Sequence, residues 1–78
     1  MKMISVDEKI INVTDEYPEI IDILVDMGFI HLKNPVMRAS VGKVITLRKA
    51  AKNHDLKLSE IQKILNEHGF DILEEIND

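Results

Sequence analysis

"YPEIIDILVDMGF", residues 17–29, decides the fold. Pro18 stands where the first turn of a helix is expected, a place that needs no amide donor. Glu19, Asp22 and Asp26 then recur at spacings of three and four, and nearly everything between them is apolar. A polar stripe that narrow predicts the most deeply buried helix of the domain. Gly28 supplies the left-handed stop that ends it.

Working outward, the N-terminal side predicts a short helix from about Lys9 to Asp15, with Ile10, Val13 and Tyr17 on one face and Asp7 near its start. Beyond the glycine, Asn34 and Pro35 read as cap and first turn of another short helix, running through Arg38 or Ala39 and broken by Gly42. Thr46 is expected to cap "LRKAAKN", whose stripe of Leu47, Ala50 and Ala51 implies a close helix–helix approach, while Arg48, Lys49 and Lys52 face outward. Ser59 with Gln62 predicts a capping box ahead of Ile61, Ile64 and Leu65, and Gly69 ends that helix. Asp71 with Glu74 is expected to cap a final turn or two carrying Ile72, Leu73 and Ile76. "VGKVIT" has the composition of a strand, but a lone strand has no partner. The fold class expected is therefore all-α: a compact array of four to five short helices with short connections and no sheet. Residues 1–78 are expected to form a single domain, and the polar end of the last helix is compatible with the N-terminal module of a larger protein.

Seventy-eight residues with 45% apolar content suffice for one real core, near the lower size limit. The chain has no cysteine, which excludes disulfides, thiolate chemistry and cysteine-held metals. No run approaches 18 apolar residues and the N-terminus lacks the apolar block of a signal peptide, pointing to the cytoplasm and away from membranes.

The net charge of −4 hides a sharp division. Residues 1–26 hold seven acids and two bases, and residues 55–78 again hold seven and two. Between them, residues 27–54 hold six bases and no acid. Two readings follow. In one, the basic middle pairs internally with the acidic flanks, Lys33 and Arg38 being taken up by Asp22, Asp26 or Glu67. In the other, Lys33, Arg38, Lys43, Arg48, Lys49 and Lys52 form a partner-binding surface, with Phe29 and Met37 as an apolar anchor beside it. The partner would be an acidic protein surface: a neighbouring domain or a second copy of the chain.

Catalysis finds little footing. His31, His54 and His68 are separated by 23 and 14 residues, without the i,i+4 spacing of a zinc-binding helix. His54 and His68 lie where helices end, a position that favours histidine. His31 falls in the acid-free segment, but no serine or cysteine stands at a spacing that suggests a nucleophile. No catalytic residue, metal ligand or cofactor is therefore expected. "TLRKAAKNHDLKLSEIQKIL" does have a helix–turn–helix outline, which makes a small nucleic-acid-binding domain the alternative reading. Against it, the second helix would expose Glu60, Gln62, Lys63, Asn66 and Glu67, slightly negative in sum, whereas groove reading begins with neutralised phosphates.

"YPEIIDILVDMGF", "LRKAAKNHDL" and "LSEIQKILN" together resemble the small helical domain family of unknown function typified by hybrid-cluster-protein-associated redox disulfide domains. The likeness runs from Ile4 to Asn66 and is strongest at Tyr17-Pro18, at Gly28, and at Ala50-Ala51 followed by His54 and Asp55-Leu56. Redox-type members carry a Cys-x-x-Cys just past the glycine; those two places are His31 and Asn34 here, with Pro35 kept after the second. "DMGFIHLKNPVMRASVGKVITLRKAA" is similar to a cysteine-free branch found at the N-terminus of hemerythrin-like and PAS-like sensor proteins. The resemblance implies the helical fold, no disulfide chemistry, and a regulatory or protein-interaction role in a cytoplasmic protein.

Overall fold

A computed structural model describes residues 1–78. Its elements are strand β1 (Lys2–Ile4), helices α1 (Ile10–Glu16) and α2 (Glu19–Asp26), a 3-10 turn (Ile30–Lys33), helices α3 (Pro35–Gly42), α4 (Leu47–Asn53) and α5 (Leu58–Glu67), and strand β2 (Phe70–Ile72).

The stretch of residues 17–29 folds as its pattern requires. Ile20, Ile23 and Leu24 of α2 are buried while Glu19, Asp22 and Asp26 line its exposed side. Gly28 adopts φ +113°, and two backbone bonds close the helix end: Gly28 N–H to the Val25 carbonyl and Phe29 N–H to the Leu24 carbonyl, both 3.0 Å. This is the paired-bond stop that a left-handed residue makes possible, and it turns the chain so that Phe29 points back into the core.

The next two caps also form. The Asn34 side chain accepts from the N–H groups of Val36 (2.9 Å) and Met37 (3.3 Å), with Pro35 leading the helix. The Thr46 hydroxyl accepts from Lys49 N–H at 3.2 Å, and Leu47, Ala50 and Ala51 are buried. Three local expectations are corrected. Helix α3 runs past Ala39 to Gly42, and Gly42 is no breaker: a Cβ there would stand 2.9 Å from the Ile11 backbone nitrogen, so glycine permits α1 and α3 to touch. No capping box forms at Ser59, because α5 begins one residue earlier at Leu58 and Ser59 N–H donates to the Asp78 carboxylate at 3.2 Å. Asp7 caps nothing; α1 starts behind Lys9, where Ile10 N–H bonds to the Ile45 carbonyl. That contact, with a single antiparallel bridge between Lys9 and Thr46, is the whole strand-like contribution of "VGKVIT".

The expectation of no sheet is also corrected. β1 and β2 pair in parallel, Lys2 opposite Phe70 and Ile4 opposite Ile72, joining the two ends of the chain. Gly69 at φ +84° ends α5 and directs residues 70–72 into this pairing, so Asp71 and Glu74 do not cap a helix. Burial explains why the strand forms: Ile4, Phe70 and Ile72 enter the core, and Phe70 meets Tyr17 edge-on with ring centroids 5.3 Å apart. Beyond β2, the Glu74 carboxylate reaches back to accept from the Ser5 hydroxyl and from Val6 N–H (2.8 Å). The fold is thus mostly helical, five helices closed by a minimal two-stranded sheet. Every element places an apolar side chain in the core except α3, whose one buried residue is Gly42.

Candidate functional site

The six bases of the middle segment do not share one fate. Arg48 of α4 grips Asp7 with two bonds, Nε to Oδ1 at 2.7 Å and Nη2 to Oδ2 at 3.2 Å. These hydrogen bonds from Arg48 hold the Asp7 carboxyl below the usual carboxylate range. Arg38 of α3 is half-buried and donates from Nη1 to the Leu32 carbonyl at 2.8 Å, tying α3 to the 3-10 turn. The other four, Lys33 at the end of the turn, Lys43 at the C-cap of α3, and Lys49 and Lys52 on α4, are exposed. The molecule contains two ion pairs, Lys2–Glu19 and Arg48–Asp7. Neither Lys33 nor Arg38 is taken up by Asp22, Asp26 or Glu67.

The apolar part of the surface differs from expectation. Phe29 is buried, its ring 4.4 Å from that of His54, so it cannot be an exposed anchor. Met37 is exposed, and it is accompanied by Ile30 (65% exposed), Val36 (75%) and Val44 (74%), which sequence reasoning passed over. Exposure that high in three branched aliphatic side chains of one short segment departs from the ordinary scatter of single surface residues. A signal was present: Val36 falls in the first turn of α3, directly behind the Asn34–Pro35 cap, and with Val36, Met37, Ala39 and Val41 the helix has no narrow apolar stripe that would bury them all.

Between the 3-10 turn, α3 and α4 lies a cleft of about 180 Å³. Its buried lining is Ile10, Phe29, Leu32 and Ala50, and half-buried Val41 and Ile45 form its sides. The exposed residues around it are His31, Asn53 and His54. Two of the three histidines therefore meet at one opening, while His68 caps α5 elsewhere. No group of three or more histidine, aspartate or glutamate side chains is arranged to hold a metal. Asn34 is engaged as the α3 cap and is absent from the cleft lining. Two wider hollows differ in chemistry: one of about 250 Å³ includes Glu8 and Glu16, and one of about 510 Å³ mixes Arg48, Lys52 and Lys57 with Asp55, Glu60 and Asp78. The cleft is thus the one concavity with no carboxylate beside a mainly apolar lining; a fourth, smaller hollow near Met27 and Ile64 includes Glu60.

Residues 4–62 match the model of a family described as "Domain of unknown function (DUF1858)". The chain is also similar to a solved structure described as the crystal structure of the conserved domain protein from Streptococcus pneumoniae TIGR4. The two share 32% sequence identity and superpose with a TM-score of 0.88, over 94% of this chain and 92% of that one. No curated protein matches the chain.

Proposed function

The chain belongs to this family of unknown function, and we propose that it is a non-catalytic protein-interaction or regulatory module whose middle segment meets an acidic protein surface. One observation carries the reading. Lys33, Lys43, Lys49 and Lys52 stand exposed without a carboxylate partner, in the same 27–54 segment that exposes Ile30, Val36, Met37 and Val44. Free cations and exposed apolar side chains in one segment supply the composition of an interface with a charged rim. The setting proposed is a cytoplasmic protein in which this module adjoins a sensor domain, supported by the resemblance of residues 26–51 to the cysteine-free branch. The acidic surface would then belong to that neighbour or to a second copy of the chain.

The nucleic-acid reading is the weaker of the two. Helix α5, which would have to enter a groove, buries Leu58, Ile61 and Leu65 and carries Glu60 and Glu67 on its exposed side. The test is a salt titration of the wild-type domain and a Lys49→Glu/Lys52→Glu variant against two probes, a glutamate-rich peptide with interspersed leucines and a duplex DNA. The expected result is salt-sensitive binding of the peptide that the variant loses about tenfold or more. Tighter binding to the duplex than to the peptide would overturn the proposal.

A further inference from the structure

We infer that the cleft beside His54 receives one bulky apolar side chain from an acidic partner segment, whose flanking carboxylates lie against the free lysines. This inference rests on the reading of the domain as an interaction module and specifies what that module holds.

Size is the first argument. Pockets that enclose whole small molecules typically measure about 300–1,000 Å³, and this cleft measures about 180 Å³. It has room for a single side chain of the leucine or phenylalanine class. The rest of such a ligand must lie outside, on the surface, which suits a polypeptide segment better than a free metabolite.

The lining gives the second argument. Buried Phe29 and Leu32 offer an apolar floor, and His31, Asn53 and His54 at the opening offer polar groups to the backbone of an extended segment. A buried apolar anchor within a polar rim is where binding energy concentrates at interfaces. Base stacking is disfavoured by the same geometry, because Phe29 is buried against His54 and presents no free ring.

Charge supplies the third. Every lining residue except Ile10 comes from the span of residues 27–54, which holds six bases and no acid. The three other hollows all include carboxylates. An anionic segment therefore meets no carboxylate in this lining, and Lys33 and Lys49 stand next in sequence to the lining residues Leu32 and Ala50. The exposed Ile30, Val36, Met37 and Val44 come from the same turn, α3 and its exit that supply part of the cleft's lining. Helix α3 suits such a role, since it sends no apolar side chain into the core, exposes Val36 and Met37, and lends half-buried Val41 to the cleft.

The experiment is a selection from a random peptide display library on the intact domain, followed by affinity measurements with the enriched peptide. The expected consensus is one bulky apolar residue flanked by aspartate or glutamate. A neutral or basic consensus, or no consensus, overturns the inference. Replacing the apolar residue by alanine in the peptide should weaken binding about tenfold or more, as should the rim substitutions His31→Trp and Asn53→Trp, which crowd the opening from exposed positions. Lys33→Glu/Lys43→Glu should weaken it as well. If the lysine variant weakens binding and the rim variants do not, the cleft assignment falls while the interaction reading stands. If neither class of variant matters, both fall. Circular dichroism melts of each variant establish that the fold is retained, and the peptide-side alanine substitution tests the cleft independently of any protein variant.

Discussion

At the junction of the two termini, three carboxylates are engaged by the fold: Glu74 accepts from Ser5 and Val6, Asp71 accepts from the Gln62 amide and from Ile72 N–H, and Asp78 accepts from Ser59 N–H. In the middle of the chain, four lysines carry comparable charge and bond to nothing charged. The junction orders residues far apart in sequence, so its polar groups must be satisfied by one another. The middle is built from short elements ended by local caps, which leaves its long cationic side chains free. At the junction, charge is thus structural, whereas in the middle segment the charge of these four lysines is available.

Substitutions can break that contrast, and the largest effect is expected where the junction enters the core. Phe70→Ala removes a ring that is 1% exposed and packs on Tyr17, and should cost about 3–5 kcal/mol in urea unfolding. Leu24→Ala, in the helix that anchors both regions, should cost about 2–5 kcal/mol. A loss under about 1 kcal/mol at Phe70 would show that β2 is a loose end rather than a closure. Gly42→Ala comes next, at about 1–3 kcal/mol, because the added methyl meets the Ile11 backbone, which cannot swing aside as the tip of a flexible side chain would. This sharpens the contrast by showing that the middle segment also contains one position of strict packing.

Glu74→Gln should cost less, about 1–2 kcal/mol, since the amide keeps one acceptor and loses the charge. The effect should depend on pH. Partial burial opposes ionisation of Glu74, but the bonds from Ser5 and Val6 outweigh it and hold the carboxyl below its ordinary value of 4.5. A depressed folded value means that the stabilisation is present above about pH 4.5 and fades as pH falls through the lower, folded value. Asp71, held down by Gln62 and Ile72, acts in the same direction from its ordinary value of 3.8. The melting temperature should therefore fall on acidification below pH 4.5, and Glu74→Gln should flatten the first part of that fall. A variant that melts in parallel with wild type from pH 6 to pH 3 would contradict the junction bonding.

The two regions were not equally readable. Helix α2, the Gly28 stop, the Asn34–Pro35 cap, the Thr46 cap and the Ala50–Ala51 stripe were legible because each is decided within a few residues by backbone geometry or local bonding. The β1–β2 pairing was not. Its strands are three residues long, too short to show alternation, and their partners lie 68 residues apart. Gly42 resembled a breaker because a glycine needed for close approach looks the same in sequence as one needed for a turn. The six bases were visible as a block, but only folding separates Arg48, held by Asp7, and Arg38, held by a carbonyl, from the four free lysines. The cleft was equally hidden, because Ile10 joins it from a different part of the chain and Phe29 is turned inward by the bonds that follow Gly28.

The most direct test compares two charge-removing variants by urea unfolding at neutral pH and fixed salt: Asp71→Asn/Glu74→Gln at the junction, and Lys33→Gln/Lys43→Gln/Lys49→Gln/Lys52→Gln in the middle. The junction pair should unfold at a clearly lower urea concentration than wild type, with about 1–2 kcal/mol of the loss coming from the Glu74 bonds. The lysine quadruple, which removes twice as many charges, should change by less than about 0.5 kcal/mol in total and unfold near wild type. A quadruple variant destabilised as much as the junction pair would contradict the account, because it would show that the basic segment is engaged within the fold and not held free for a partner.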